Sequence, residues 1–84
     1  MLELFQHEGS SDCGRVRRRL SELMIDYIAR QVPQDPALRT RLQLATGQSD
    51  VPVIIDPEQR MIVTEADDII DYLEETYGAR QTAP

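Results

Sequence analysis

The 84-residue chain has no lysine, no tryptophan and a single cysteine, and its nine basic residues, all arginine, face fifteen acidic ones. Each shortage excludes something. A lone Cys13 cannot form an internal disulfide and fits no cysteine-rich zinc pattern, so no metal site is expected. The net charge of −6 repels a phosphate backbone and argues against a general nucleic-acid binder. No apolar run approaches the length of a membrane span. The opening Met1-Leu2-Glu3-Leu4-Phe5-Gln6-His7 lacks the basic region and apolar core of a secretory signal. Repeats and low-complexity segments are also missing. These absences lead us to expect one soluble domain in a reducing, cytoplasmic setting, with neither nucleic acid nor membrane as partner. A chain of this length buries only about 60 to 65% of the surface it exposes when unfolded, which limits it to one compact core. Residues 1–78 are expected to form it, with 79–84 a frayed tail.

What is present orders itself by period. Leu2, Leu4 and Phe5 form a short apolar strand. After the loop from His7 to Ser11, Cys13, Val16, Leu20, Leu23 and Met24 recur at three- and four-residue spacing, one face of a helix. Asp26 to Val32 reads as a second strand. Asp35-Pro36 should start a short helix, since Asp caps free N–H groups and proline is preset for the first helical position. Leu38, Leu42 and Ala45 would be its buried stripe, and Gly47 its left-handed end. Val51 to Ile55 and Met61 to Val63 make a hairpin around Asp56-Pro57-Glu58-Gln59-Arg60. Thr64-Glu65-Ala66-Asp67 has the form of a capping box opening a last helix, buried through Ile69, Ile70, Leu73 and Tyr77 and ended by Gly78. The order is βαβαββα. A parallel βαβ unit and a hairpin would share a four-stranded mixed sheet with helices on both faces.

Three stretches then carry a resemblance: Gly9-Ser10-Ser11-Asp12-Cys13-Gly14-Arg15-Val16-Arg17, Thr46-Gly47-Gln48-Ser49-Asp50-Val51-Pro52-Val53, and Thr64-Glu65-Ala66-Asp67-Asp68-Ile69-Ile70-Asp71-Tyr72-Leu73. In this order they resemble the thioredoxin fold, in the branch shared by glutaredoxins and the N-terminal domain of glutathione S-transferases. The resemblance implies glutathione as ligand or co-substrate. It places Ser10 where glutaredoxins carry the attacking cysteine, Ser11 and Asp12 between, and Cys13 at the second cysteine. The serine pair followed by Arg-Val-Arg is similar to zeta-like transferases, whose hydroxyl hydrogen-bonds the glutathione thiolate and lowers its pKa. It further implies a cis Val51–Pro52 bond, with the Val51 backbone pairing with the cysteinyl backbone of the ligand. Glu65, Ala66 and Asp67 would hold the γ-glutamyl zwitterion, carboxylate on the helix N–H groups and ammonium on an acidic side chain. Ala66 lacks the hydroxyl that transferases usually have there.

Each of these residues also has a purely structural reading. Ser10 and Ser11 can simply cap and turn the chain; Cys13 lies on an apolar stripe, where a free thiol is usually buried. Val51–Pro52 can be a trans pair at a strand edge, and Glu65 and Asp67 can serve the last helix alone. Arg17, Arg18 and Arg19 read as a solvated face, with Arg15 nearest the site, and His7 as an ordinary loop histidine. Three functions follow. One is a transferase-like glutathione-binding domain using Ser10 or Ser11, and another a glutaredoxin-like oxidoreductase using Cys13. The third is a non-catalytic module that pairs with a second copy or another protein. The resemblance implies that in whole transferases a helical C-terminal domain supplies most of the pocket for the electrophile, so efficient conjugation by these 84 residues alone is not expected.

Overall fold

A computed structural model describes residues 1–82, with side chains as far as Gly78. Strands β1 (Leu2–Gln6), β2 (Tyr27–Gln31), β3 (Val53–Asp56) and β4 (Met61–Thr64) and helices α1 (Ser11–Glu22), α2 (Thr40–Thr46) and α3 (Ala66–Thr82) follow one another in the order β1-α1-β2-α2-β3-β4-α3. The strand order is β2-β1-β3-β4. β1 runs parallel to β2 and antiparallel to β3, and β3 antiparallel to β4. This is the expected α/β, thioredoxin-like mixed sheet.

Alternation along the strands divides the core between the two faces of the sheet. Leu2, Leu4 and Ile54 pack with Val16, Leu20 and Leu23 of the α1 segment and with Ala66, Ile69, Leu73 and Tyr77 of α3. Phe5, Val53 and Val32 meet Leu42 of α2 on the other face. The division follows from register: Leu4 lies opposite Ile54 and Phe5 opposite Val53.

Five local expectations change. Met24 leaves the α1 stripe: it has φ 56° and is 78% exposed, in the turn that follows the helix. Asp35 does cap, accepting from the Ala37 amide at 3.0 Å, but what it starts is a 3-10 turn, Pro36–Leu38, and α2 begins only at Thr40. That break rotates the stripe. Leu38 and Ala45 face solvent, Leu42 alone is buried, and Arg39 turns inward in their place. Gly47 ends α2 in the left-handed region as expected, with φ 79°. No capping box forms: Thr64 stays in β4 opposite Val53, and Asp67 turns to another partner. Gly78 does not end α3, which continues to Thr82. Glycine in a helix interior costs about 1 kcal/mol against alanine, and the buried Leu73 and Tyr77 hold the preceding turns firmly enough to carry the helix through. The expected tail thus begins as helix; Ala83 and Pro84 lie outside the described residues.

Two buried polar groups explain how the loops are held. Arg39, 8% exposed, donates to the carbonyls of Pro33 (2.8 Å), Gln34 (3.0 Å) and Ser49 (2.9 Å). It ties the approach to α2 to the segment leading into Val51. Asp56, 1% exposed, accepts from the hydroxyls of Tyr72 (2.6 Å) and Tyr77 and from the amides of Glu58 (3.1 Å) and Gln59 (3.4 Å). One carboxylate thereby closes the hairpin turn and fastens α3 to it.

Candidate functional site

Register brings the three stretches to one end of the sheet. Val53 pairs with Phe5 on one side and with Thr64 on the other. The chain just after Phe5 leads to Ser10, the residues just before Val53 are Val51 and Pro52, and Glu65 follows Thr64. The starts of α1 and α3 therefore flank the segment entering β3.

At the first corner Ser10 is the N-cap of α1, in extended conformation, and its Oγ accepts from the Cys13 amide at 3.2 Å. Capping and ligand contact are not exclusive, because a hydroxyl that accepts one bond still carries a hydrogen to donate. Ser11 is the first residue of the helix, exposed, and its hydroxyl has no hydrogen-bond partner among the described residues. Cys13 is completely buried and unpaired with any other cysteine. His7 is turned back on its own loop, its Nδ1 accepting from the Gly9 amide at 3.2 Å.

Beneath this loop lies a polar network that sequence patterns did not announce. Gln6, 1% exposed, donates from Nε2 to Gln31 at 2.7 Å and to Glu8 at 3.3 Å, and its Oε1 accepts from Arg17. The loop before Ser10 is thus anchored to β2 and α1 at once. A glutamine at the end of an apolar strand was the available signal.

At the second corner the Val51–Pro52 peptide is cis. Pro52 is buried and Val51 half-buried. Neither the amide nor the carbonyl of Val51 has a hydrogen-bond partner among the described residues. A main-chain donor and acceptor side by side can pair with an extended peptide as a strand edge does.

At the third corner Glu65 has φ 68°, in the left-handed region that favours glycine. A non-glycine residue held there costs about 1 to 2 kcal/mol, and such outliers gather at ligand sites. The first helical residue, Ala66, is buried. Its amide and those of Asp67 and Asp68 lack intrahelical acceptors, and the first one made is from the Ile69 amide to the Glu65 carbonyl at 2.9 Å. Asp67 is exposed and accepts from Arg15, whose other terminal nitrogen lies 3.4 Å from Asp12. The Asp67 carboxylate, and after it Asp12, holds the Arg15 guanidinium above its ordinary pKa. Among the described residues no group of acidic, histidine or cysteine side chains is arranged to hold a metal.

A family model described as "Glutathione S-transferase, N-terminal domain" matches residues 4–81. The chain belongs to that family. Solved structures agree. A glutathione S-transferase from Rhodospirillum rubrum F11 is 28% identical, with a TM-score of 0.77 over 93% of this chain and 34% of its own. A glutathione transferase homologue from Sulfitobacter, solved with bound glutathione, is 21% identical, with a TM-score of 0.80 over 100% of this chain and 40% of its own. The diazinon-metabolizing glutathione S-transferase of the silkworm Bombyx mori is also 21% identical, with a TM-score of 0.80 over 100% of this chain and 41% of its own. No curated protein matches. This transferase N-terminal domain spans well under half the length of the structures it resembles, and among the described residues no helix is long and apolar enough to cross a membrane.

Proposed function

We propose that this domain binds glutathione across the three corners, with Ser10 facing the sulfur. The observation that supports it most is the unpaired Val51 backbone, lying between a serine-capped helix start and a second helix start flanked by carboxylates. The cysteinyl backbone of the tripeptide pairs with Val51 beside the cis Pro52. The γ-glutamyl carboxylate takes the amides of Ala66 and Asp67, and its ammonium takes Glu65 or Asp67. Ser10 keeps its cap and donates its hydrogen to the thiolate, which lowers the thiol pKa and raises the population of nucleophile. Ser11, the neighbouring free hydroxyl, is the alternative donor. The setting we infer is a reducing cytoplasm, where Cys13 stays a thiol.

A transferase-like role fits this arrangement better than a glutaredoxin-like one. Attack on a disulfide needs an accessible thiolate, and Cys13 is completely buried. Titrating glutathione by calorimetry, with Ser10→Ala in parallel, tests the proposal. Binding heat in the millimolar range or tighter, weakened in the variant, supports it; no heat from the native protein removes it and favours an assembly module that pairs with a second copy or another protein.

A further inference from the structure

Gln6 closes β1 on the row of Leu2 and Leu4, the face of the sheet that α1 covers, and is 1% exposed. An apolar residue would fill that place without needing partners, whereas a buried amide is costly unless its polar atoms are paired. Its Nε2 donates to Gln31 of β2 at 2.7 Å and to Glu8 of the loop at 3.3 Å, and its Oε1 accepts from Arg17 of α1. Arg17 in turn lies 3.4 Å from Glu8, so the side chains of Gln6, Glu8 and Arg17 form a closed ring. Resting on the glutathione reading above, we propose that Gln6 is a positioning residue, which holds the Ser10 hydroxyl in line with the ligand's sulfur.

The direction of Ser10 is set from two sides. Its amide donates to the His7 carbonyl at 3.0 Å, and its carbonyl accepts from the Gly14 amide at 3.0 Å. The first bond belongs to the loop and the second to α1. Gln6 grips the loop through Glu8, the neighbour of His7, and grips α1 through Arg17, about two turns beyond Ser10 and on nearly the same side of the helix. Its bond to Gln31 refers both to the sheet. Val51 is referred to the same sheet, because Val53 pairs with Phe5, the neighbour of Gln6. A ligand that lies on the Val51 backbone therefore meets the Ser10 hydroxyl at a distance and angle that Gln6 fixes, and a hydrogen bond weakens steeply once misaligned. The amide is neutral, so its effect on the sulfur passes through geometry.

The test follows the ligand's thiol. Complexes saturated with glutathione are titrated through the ultraviolet band of the thiolate, and affinities for glutathione and for S-methylglutathione, which has no ionisable sulfur, are measured by calorimetry. Gln6→Met keeps the length of the side chain without its hydrogen bonds. It should lower the bound thiolate fraction near neutral pH about threefold to tenfold, while binding of S-methylglutathione changes by less than about twofold. On a Ser10→Ala background the same substitution should leave the thiolate fraction unchanged, since its effect passes through Ser10. Should Gln6→Met not fold, Gln31→Ala, also neutral and at an exposed position, replaces it and should act in the same direction by about twofold. An unchanged thiolate fraction in the variant used, equal weakening of both ligands, or an undiminished effect without Ser10 overturns the assignment. A native domain that binds no glutathione, or a Ser10→Ala variant that holds the thiolate as well as the native domain, overturns the reading beneath it, a result distinct from lost positioning.

Discussion

Ser10 accepts the Cys13 amide through its hydroxyl at 3.2 Å and keeps its own hydrogen for another partner. The same atom therefore closes a helix and, in the proposed function, contacts sulfur, and substitutions can separate the two tasks. Ser10→Ala should cost about 1 kcal/mol of stability, as loss of an N-cap does, and also weaken glutathione. Ser10→Asp should keep stability within about 0.5 kcal/mol, because Asp caps equally well, yet repel the thiolate and abolish binding. Denaturant unfolding and calorimetry on both variants check this; Ser10→Asp binding like the native domain would exclude Ser10 from the sulfur.

Asp56 links stability to pH. Burial pushes its carboxyl up, but the hydroxyls of Tyr72 and Tyr77 and the amides of Gln59 and Glu58 outweigh that and hold it below the usual carboxylate range. A lowered folded-state pKa contributes stability that is present above the unfolded value of about 3.9 and disappears as pH falls through the folded one. Unfolding free energy should therefore fall below about pH 4, and Asp56→Asn should flatten part of that acid limb. The variant should also lose about 3 kcal/mol near neutrality, since two tyrosine hydroxyls lose a charged acceptor.

The same cluster sets an alkaline limit. Burial first, and then the hydrogen bond each hydroxyl gives to Asp56 and the Asp56 charge, push Tyr72 up to about 12 and Tyr77 higher still. A raised folded-state pKa gives stability that is intact below the unfolded value of about 10 and lost as pH climbs through the folded one. Absorbance titration at the phenolate band should show two tyrosines ionising well above pH 10, with unfolding accompanying them. Ionisation of Tyr72 and Tyr77 near pH 10 in the folded protein would contradict the structure.

Arg39 should not tolerate lysine. Its guanidinium serves three carbonyls on separate segments, and a single ammonium cannot span them. Arg39→Lys should lose about 2 to 3 kcal/mol and weaken glutathione by loosening the run from Ser49 to Val51. A variant with native stability would show that these contacts do not hold the loop.

Glu65 at φ 68° predicts a trade between stability and binding. Glycine relieves about 1 to 2 kcal/mol of left-handed strain and gives part of it back in chain entropy. Glu65→Gly should thus be about 0.5 to 1 kcal/mol more stable while binding glutathione less tightly. A destabilised variant would mean that the Glu65 side chain is worth more to the fold than its backbone costs.

Cys13 should be inert in the native state. A completely buried thiol reacts only through opening of the structure, so labelling should be at least about a hundredfold slower than in denaturant. Comparable rates would reopen a redox role.

What could be read in the chain itself was whatever depends on near neighbours. The period of Val16, Leu20 and Leu23, the cap at Asp35, the left-handed Gly47 and the turn at Asp56 concern residues a few positions apart, and their order was enough to indicate the sheet and the family. Even so, local patterns misled where two were in conflict. The Asp35-Pro36 start promised one helix, but the chain breaks at Arg39 and turns Leu38 outward; Gly78 looked like a stop but has no positive φ to terminate anything.

Only the tertiary structure decided which polar groups meet. Arg15 finds Asp67 across 52 residues, and Asp56 is reached by Tyr72 and Tyr77 from 16 and 21 residues away. A cap or a hydrophobic stripe is fixed by helix geometry over one or two turns. A buried charge is fixed by whichever distant donors the packed sheet and helices bring within 3 Å or so, and no pattern of adjacent residues specifies them.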